Sequence, residues 1–197
     1  MRRILITVTT IAAMHSAAAG TNLSSGYWDP LARSAMQAPG CLLGADGVRK
    51  PFKLRSPNGR LTATMDDAVH LRISSEAGPL KPAVPIACLS ELRWSPDSSA
   101  ILVTSSDGGA VGTWSTAVLE LAEDRIEVKN IGLNALREFA TRNGACAEES
   151  NIASLGWISA DRALLVAQAP PHSSCSDMGT TSGFVVDRVG NIHERLT

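Results

Sequence analysis

The feature that most constrains this chain is a segment that recurs: a tight polar turn followed at once by an apolar strand. Leu92-Arg93-Trp94, Ser95-Pro96-Asp97-Ser98-Ser99 and Ala100-Ile101-Leu102-Val103 align without gaps on Leu155-Gly156-Trp157, residues 158–162 and Ala163-Leu164-Leu165-Val166. An earlier copy, the first along the chain, Leu54-Arg55-Ser56-Pro57-Asn58-Gly59-Arg60-Leu61-Thr62-Ala63, keeps the turn but has no tryptophan. Matching positions are 39 residues apart at the first step and 63 at the second. An insertion between about Asn130 and Asn151 accounts for the longer step. Self-similarity at such a period marks a repeat architecture, in which each unit buries its apolar face against the next.

Each copy follows one grammar. Proline presets its own backbone angle in the turn, and the Asx, Gly and Ser residues after it tolerate left-handed backbone. An apolar strand follows (100–104 or 163–167), then a loop and a third strand (69–73, 114–121 or 183–188). A polar turn leads to a fourth strand, as at 125–128 or 191–196. Short β-branched runs punctuated every eight to twelve residues from Val48 onward predict an all-β domain. The expected fold is about three four-stranded antiparallel propeller-like blades over residues 41–197, with one short inserted helix. That helix is read from Leu133, Leu136, Phe139 and Ala140, with Asn134 as its cap and Asn143-Gly144 as its stop.

The pattern resembles the TolB-type, WD40-like propeller repeat, whose core is Trp-Ser-Pro-Asp-Gly before a hydrophobic strand. Trp94-Ser95-Pro96-Asp97-Ser98 matches four of those five positions, and Ser56-Pro57-Asn58-Gly59 matches the turn of the first copy. The third copy retains Trp157 and the strand. The resemblance implies a binding platform in a bacterial periplasm. Trp94 and Trp157 hold equivalent places, which argues for packing between neighbouring units. Three units fall short of the four to eight that close a ring. Either a second chain completes one, or the segments stack as a sandwich, and the sequence leaves both open.

The N-terminus reads as an address. Arg2 and Arg3 precede an apolar run, Ile4 to Met14, and Ser16-Ala17-Ala18-Ala19 offers the small side chains that a signal peptidase accepts. The run is about half of the roughly 20 residues that span a bilayer, so residues 1–19 are expected to be a cleaved signal peptide and the protein to be periplasmic or secreted. No membrane span is expected in the remainder. Residues 20–40, rich in Ser, Ala, Gly and Pro around Tyr27-Trp28, read as a linker or docked arm. Loss of Arg2 and Arg3 leaves 16 of the 18 basic residues against 19 acidic ones. That balance argues against nucleic acid as a partner, because phosphate binding needs concentrated Lys and Arg.

All four cysteines, Cys41, Cys88, Cys146 and Cys175, fall after the expected cut. An even count in an exported chain favours disulfides, with Cys41 to Cys88 and Cys146 to Cys175 preferred because each pair brackets one unit. There is no CxxC spacing, and no metal site or cofactor is expected. Nucleophile elbows, zinc-protease motifs and phosphate-cradling loops are absent from the sequence. The acid pairs Asp66-Asp67 and Glu148-Glu149 would point to opposite faces of a strand and read as solvated turns.

The loop from Pro170 to Asp177 holds serines, His172 and Asp177, the elements of a hydrolytic triad. Such sets are recognised by geometry, and sequence neighbours seldom achieve it. The glycine-rich stretch with Asp107, Gly108 and Gly109, beside Trp114, suits a binding rim. The leading expectation is therefore a non-enzymatic exported binding protein whose partner is a protein or envelope component. A hydrolase using His172 and Asp177 is the alternative, and a structural subunit that closes a ring by homodimerisation is a third.

Overall fold

The turns organise the fold, and they work as the repeat requires. In a computed structural model of the chain, described over residues 52–65, 70–86, 89–106, 113–123, 125–143, 148–170 and 173–196, the Ser56 hydroxyl hydrogen-bonds Asn58 Oδ1 and accepts from Leu61 N. The second copy repeats this closure: Ser95 Oγ donates to Asp97 Oδ1 and accepts from Ala100 N. In the third, Ser159 Oγ donates to Asp161 Oδ1. Gly59 and Ser98 occupy matching positions with φ of 72° and 63°. Ser98 thus adopts a left-handed conformation that glycine takes freely and that costs another residue about 1 kcal/mol.

Strands flank these turns in three antiparallel sheets of four. Sheet 1 comprises β1 (Phe52–Arg55), β2 (Leu61–Met65), β3 (His70–Ser75) and β4 (Gly78–Pro85). Sheet 2 comprises β5 (Leu89–Trp94), β6 (Ala100–Ser106), β7 (Trp114–Leu121) and β8 (Ile126–Asn130). Helix α1 (Leu133–Asn143) precedes sheet 3, made of β9 (Asn151–Trp157), β10 (Arg162–Gln168), β11 (Thr181–Asp187) and β12 (Ile192–Leu196). In every sheet the spatial order follows the chain order, so each is a simple meander of hairpins. The architecture is all-β with one short helix, and the unit boundaries fall where the repeats place them.

Alternation along the strands produces two core layers. Ile101, Val103, Leu119 and Ile126 of sheet 2 pack on Ala63, Met65, Leu71, Ile73 and Val84 of sheet 1. The opposite face of sheet 2, with Ala100, Leu102 and Val118, meets Ile152, Leu165, Phe184 and Val186 of sheet 3 and Phe139 of α1. Sheet 2 is therefore buried on both faces, which explains why Ala100-Ile101-Leu102-Val103 is a continuous apolar run rather than an alternating one. The expected capping role of Asn134 is not what the structure has. Leu136 N bonds the carbonyl of Gly132, and Asn134 Nδ2 donates instead to the carbonyl of Gly190, tying the helix to the turn between β11 and β12.

The two tryptophans join the sheets in the same way. Trp94 Nε1 donates to the Leu54 carbonyl at 3.3 Å, and Trp157 Nε1 donates to the Arg93 carbonyl at 3.1 Å. Leu54 and Arg93 are themselves equivalent, 39 residues apart. Each indole thus bridges to the first strand of the preceding sheet, and Arg55 stands at the matching place in sheet 1. Trp157→Phe removes the donor and leaves a carbonyl with one partner fewer. It is expected to lower the unfolding free energy by about 1 kcal/mol, with Trp94→Phe costing a similar amount, measured by denaturant unfolding at unchanged m-value.

Candidate binding rim and the seam beneath it

The two ends of the strands differ. At one end lie turns that satisfy themselves: residues 56–60, 95–99, 158–161 and 187–191. At the other lie the connections between β6 and β7, between β8 and β9 with α1, and between β10 and β11. The register brings Leu89, Ser106 and Trp114 of sheet 2 to that second end, and likewise Asn151, Gln168 and Thr181 of sheet 3.

Beneath these connections runs a buried polar seam between sheets 2 and 3. The β9 strand is an edge of its sheet, and an unpaired edge left bare invites association. Side chains of sheet 2 occupy it. Thr104 and Ser154 exchange a hydroxyl bond at 2.8 Å, and Thr104 Oγ1 also accepts from Ser154 N at 2.9 Å. Thr116 Oγ1 donates to the Ile152 carbonyl, and Asn151 Oδ1 accepts from Trp114 N. At the turn end, Arg93 Nη1 donates to the Leu155 carbonyl. Gly156, at φ 143°, lies where the register of β9 and β10 shifts, and a Cβ there would come within 3.4 Å of that guanidinium. Buried hydroxyls that find such partners fix one register between the sheets rather than adding much net stability.

One amide stands apart. Gln168 is 1% exposed, and its Oε1 has no hydrogen-bond partner among the described residues.

The expected site residues are distributed unevenly. Trp114 is only 4% exposed and packs with Ala153 and Val166, so its ring belongs to the interior below the rim. Asp177 lies partly exposed in the connection between β10 and β11, where its carbonyl accepts from Thr180 N. Cys175 is buried and disulfide-bonded. Asp107, Gly108, Gly109 and His172 lie outside the described residues, as do Cys41, Cys88, Cys146, the Asp66-Asp67 pair and the expected signal peptide. Glu148 accepts from both the backbone N and the hydroxyl of Ser174, and those bonds hold its carboxyl below the usual range. Among the described residues, no three His, Cys, Asp or Glu side chains gather as a metal would need, and no helix is long and apolar enough to cross a membrane.

The turn end carries an ionic contact set in a wider hydrogen-bond network. Arg188 Nη2 reaches both Asp97 carboxylate oxygens at 3.1 Å, its Nη1 donates to Ser99 Oγ, and its Nε donates to the Ala160 carbonyl. The guanidinium carbon stands 5.4 Å from the centre of the Trp157 ring, a cation–π geometry. Burial alone would raise the Asp97 pKa, but bonds from Ser95 and Ser99 and the Arg188 charge outweigh it and hold the carboxyl well below its usual value. Asp187 behaves alike. Burial opposes ionisation, while Asn191, His193 and the Val189 amide favour it, and its pKa falls to about 2. Sequence reading missed Arg188 because its partner lies in another repeat. It missed Thr104, Thr116 and Ser154 because isolated hydroxyls in apolar strands carry no motif.

No family model matches this sequence, and no curated protein sequence matches it. Among solved structures, one described as "Crystal structure of the eukaryotic initiation factor" aligns at 15% identity with a TM-score of 0.28. The alignment covers 74% of this chain and 43% of that one, so the chain spans less than half of its length. A likeness of that size carries no argument about fold or function.

The lowered carboxyls of Asp97 and Asp187 set an acid limit. A group whose folded pKa lies below its unfolded value stabilises above the unfolded pKa and loses that contribution as pH falls through the folded one. Thermal stability is therefore expected to be level near neutrality and to fall between about pH 4 and pH 2. In Asp187→Asn, melts recorded across that range should show a shallower fall.

Proposed function

We propose that this chain is a binding protein of the cell envelope or periplasm, that its three sheets are consecutive blades of a propeller-like platform, and that it engages a protein or envelope component through the loop end of sheets 2 and 3. The observation that carries this reading is the difference between the two ends of the strands. The turns at one end are short and internally bonded, and so they are spent on structure. The connections at the other end are long, differ from one sheet to the next, and rest on a seam that fixes their anchor points. Loops mounted on a rigid sheet in this way are where binding surfaces are commonly built. The repeated indole bonds of Trp94 and Trp157 and the TolB-type motif at Trp94-Ser95-Pro96-Asp97 support the blade reading.

Affinity capture from an envelope extract tests the assignment when two altered proteins accompany the mature chain. In one, residues 107–112 are replaced by a Gly-Ser linker; in the other, the exposed turn residues Asn58 and Arg60 are changed to alanine. A partner retained by the turn variant and lost by the loop variant is the expected result. No enriched partner, or equal capture by both variants, would overturn it. Export is checked by the N-terminus of the purified protein, expected at Gly20.

The loop itself suggests how it is held. The hydrogen bonds from Ser174 to Glu148 bring the residue before Cys175 next to one two positions beyond Cys146. That proximity favours pairing Cys175 with Cys146. Peptide mapping of the unreduced protein should recover those two cysteines in one linked fragment, and a fragment joining Cys175 to Cys41 or Cys88 would refute it.

A further inference from the structure

The fourth strand of each sheet forms one of its edges, and the three edges are not alike. Pro79 and Pro85 stand in β4, whose ladder with β3 shifts register between Leu71 and Ile73. In β12 the ladder with β11 shifts between Val185 and Val186, and His193 and Glu194 are exposed. Proline, bulges and charge are the devices that keep an edge from pairing with another chain. Strand β8 has no proline and keeps one register with β7 from Ile126 to Asn130.

The bonds at the two ends of this ladder fix where its backbone groups point. Ala122 N donates to the Arg125 carbonyl at 2.9 Å, and Ile131 N donates to the Thr116 carbonyl at 3.3 Å. Bonded and non-bonded pairs alternate along an antiparallel ladder, so Glu127 and Lys129 turn their N–H and C=O groups to β7, and Ile126, Val128 and Asn130 turn theirs outward. Among the described residues, no strand pairs with that outward edge.

The side chains divide between the two faces. Ile126 is buried against sheet 1, whereas Val128, opposite Leu119 on the same face, is 58% exposed. Sheet 1 therefore leaves the middle of the edge open. Glu127 and Lys129 lie on the other face, where Glu127 pairs with Arg125 and Lys129 is drawn back to Glu120 of β7 rather than extended over the edge.

This five-residue strand is complementary to itself. Turned antiparallel about Val128, a second β8 sets Val128 beside the partner's Val128 and Ile126 beside the partner's Asn130, so the outward groups of all three residues meet in bonded pairs. The same register brings Glu127 opposite the partner's Lys129, and Lys129 opposite the partner's Glu127. Opposite charges directly across a ladder stabilise it, and like charges destabilise it. Sliding the pairing by two residues, the least that keeps the outward groups opposed, sets Glu127 against the partner's Glu127 or Lys129 against the partner's Lys129. Only the centred register matches charge.

We propose that two copies of this chain associate through β8, antiparallel about Val128, and join their second sheets into one continuous sheet of eight strands. The contact runs edge to edge, so it does not close the array into a ring. It gives the exposed Val128 an apolar neighbour and the outward N–H and C=O groups their partners.

Sedimentation of the full mature chain at concentrations up to about 1 mM, the weak end of specific association, tests this beside three variants. The unaltered chain is expected to pass from monomer to dimer as concentration rises. Val128→Pro removes an outward N–H and no bond to β7, a change that an edge strand tolerates, and the dissociation constant should rise about tenfold or more. Glu127→Lys and Lys129→Glu each set like charges across the axis and should each weaken the dimer about tenfold. An equimolar mixture of those two should recover it, because one then presents two cations to the two carboxylates of the other. A monomer at every concentration, a dimer equally tight in the charge variants, or a mixture that fails to associate would overturn the proposal. If Val128→Pro does not fold, the charge variants and their mixture decide.

Discussion

An indole N–H donated to a carbonyl in the preceding sheet is the contact on which the array depends. The bonds from Trp94 to Leu54 and from Trp157 to Arg93 join equivalent positions, so the second junction copies the first. Each is worth little alone, on the order of 1 kcal/mol. Their effect is geometric. A flat apolar face can slide over another at small cost, whereas an indole seated on a named carbonyl allows one register. The turn behind it then falls into place: Asn58 N reaches Ser98 Oγ at the first junction, and Arg188 reaches Asp97 and Ser99 at the second.

The second junction is the more heavily bonded because its problem is harder. Strand β9 meets the faces of β6 and β7 with its own edge unpaired. Thr116, Trp114 N and Arg93 each supply one bond along that edge, and Thr104 makes two with Ser154. A polar group buried without a partner costs more than its bond gains when made, so every member of the seam constrains the others. The connections at the loop end are therefore anchored on residues with little freedom, and their differences in length become differences in surface shape.

Much of this was legible in the sequence, and the parts that were not share a cause. The turns, the strands after them and the helix could be read because each rests on neighbours in the chain: Ser56 with Asn58, Ser95 with Asp97, Leu133 through Phe139. The pairing of Trp94 with Trp157 was legible through the repeat alone. The seam was not, since Thr104 and Ser154 are fifty residues apart and neither is unusual in a strand. Strand β4 was also obscure: Pro79, Pro82 and Pro85 suggest a loop, yet an edge strand tolerates proline because one side of its ladder is unpaired. Asn134 misled for the opposite reason, a local capping signal overridden by the Gly190 carbonyl from a distant turn. The candidate loop residues Asp107, Gly108, Gly109 and His172 lie outside the described residues.

The absence of a tryptophan from the first copy follows from the same contact. An indole is useful at that position only when a preceding sheet offers it a carbonyl, and sheet 1 has no predecessor among the described residues. Arg55 stands there instead, exposed, and turns its guanidinium back to the Gly59 carbonyl of its own turn. With Lys53 and Arg72 on the same outer face, it makes stacking of an apolar sheet on that side costly, since charges would lose their hydration without a partner. The repeats thus encode a direction as well as a period, with the indole of each later unit reaching back to the sheet before it.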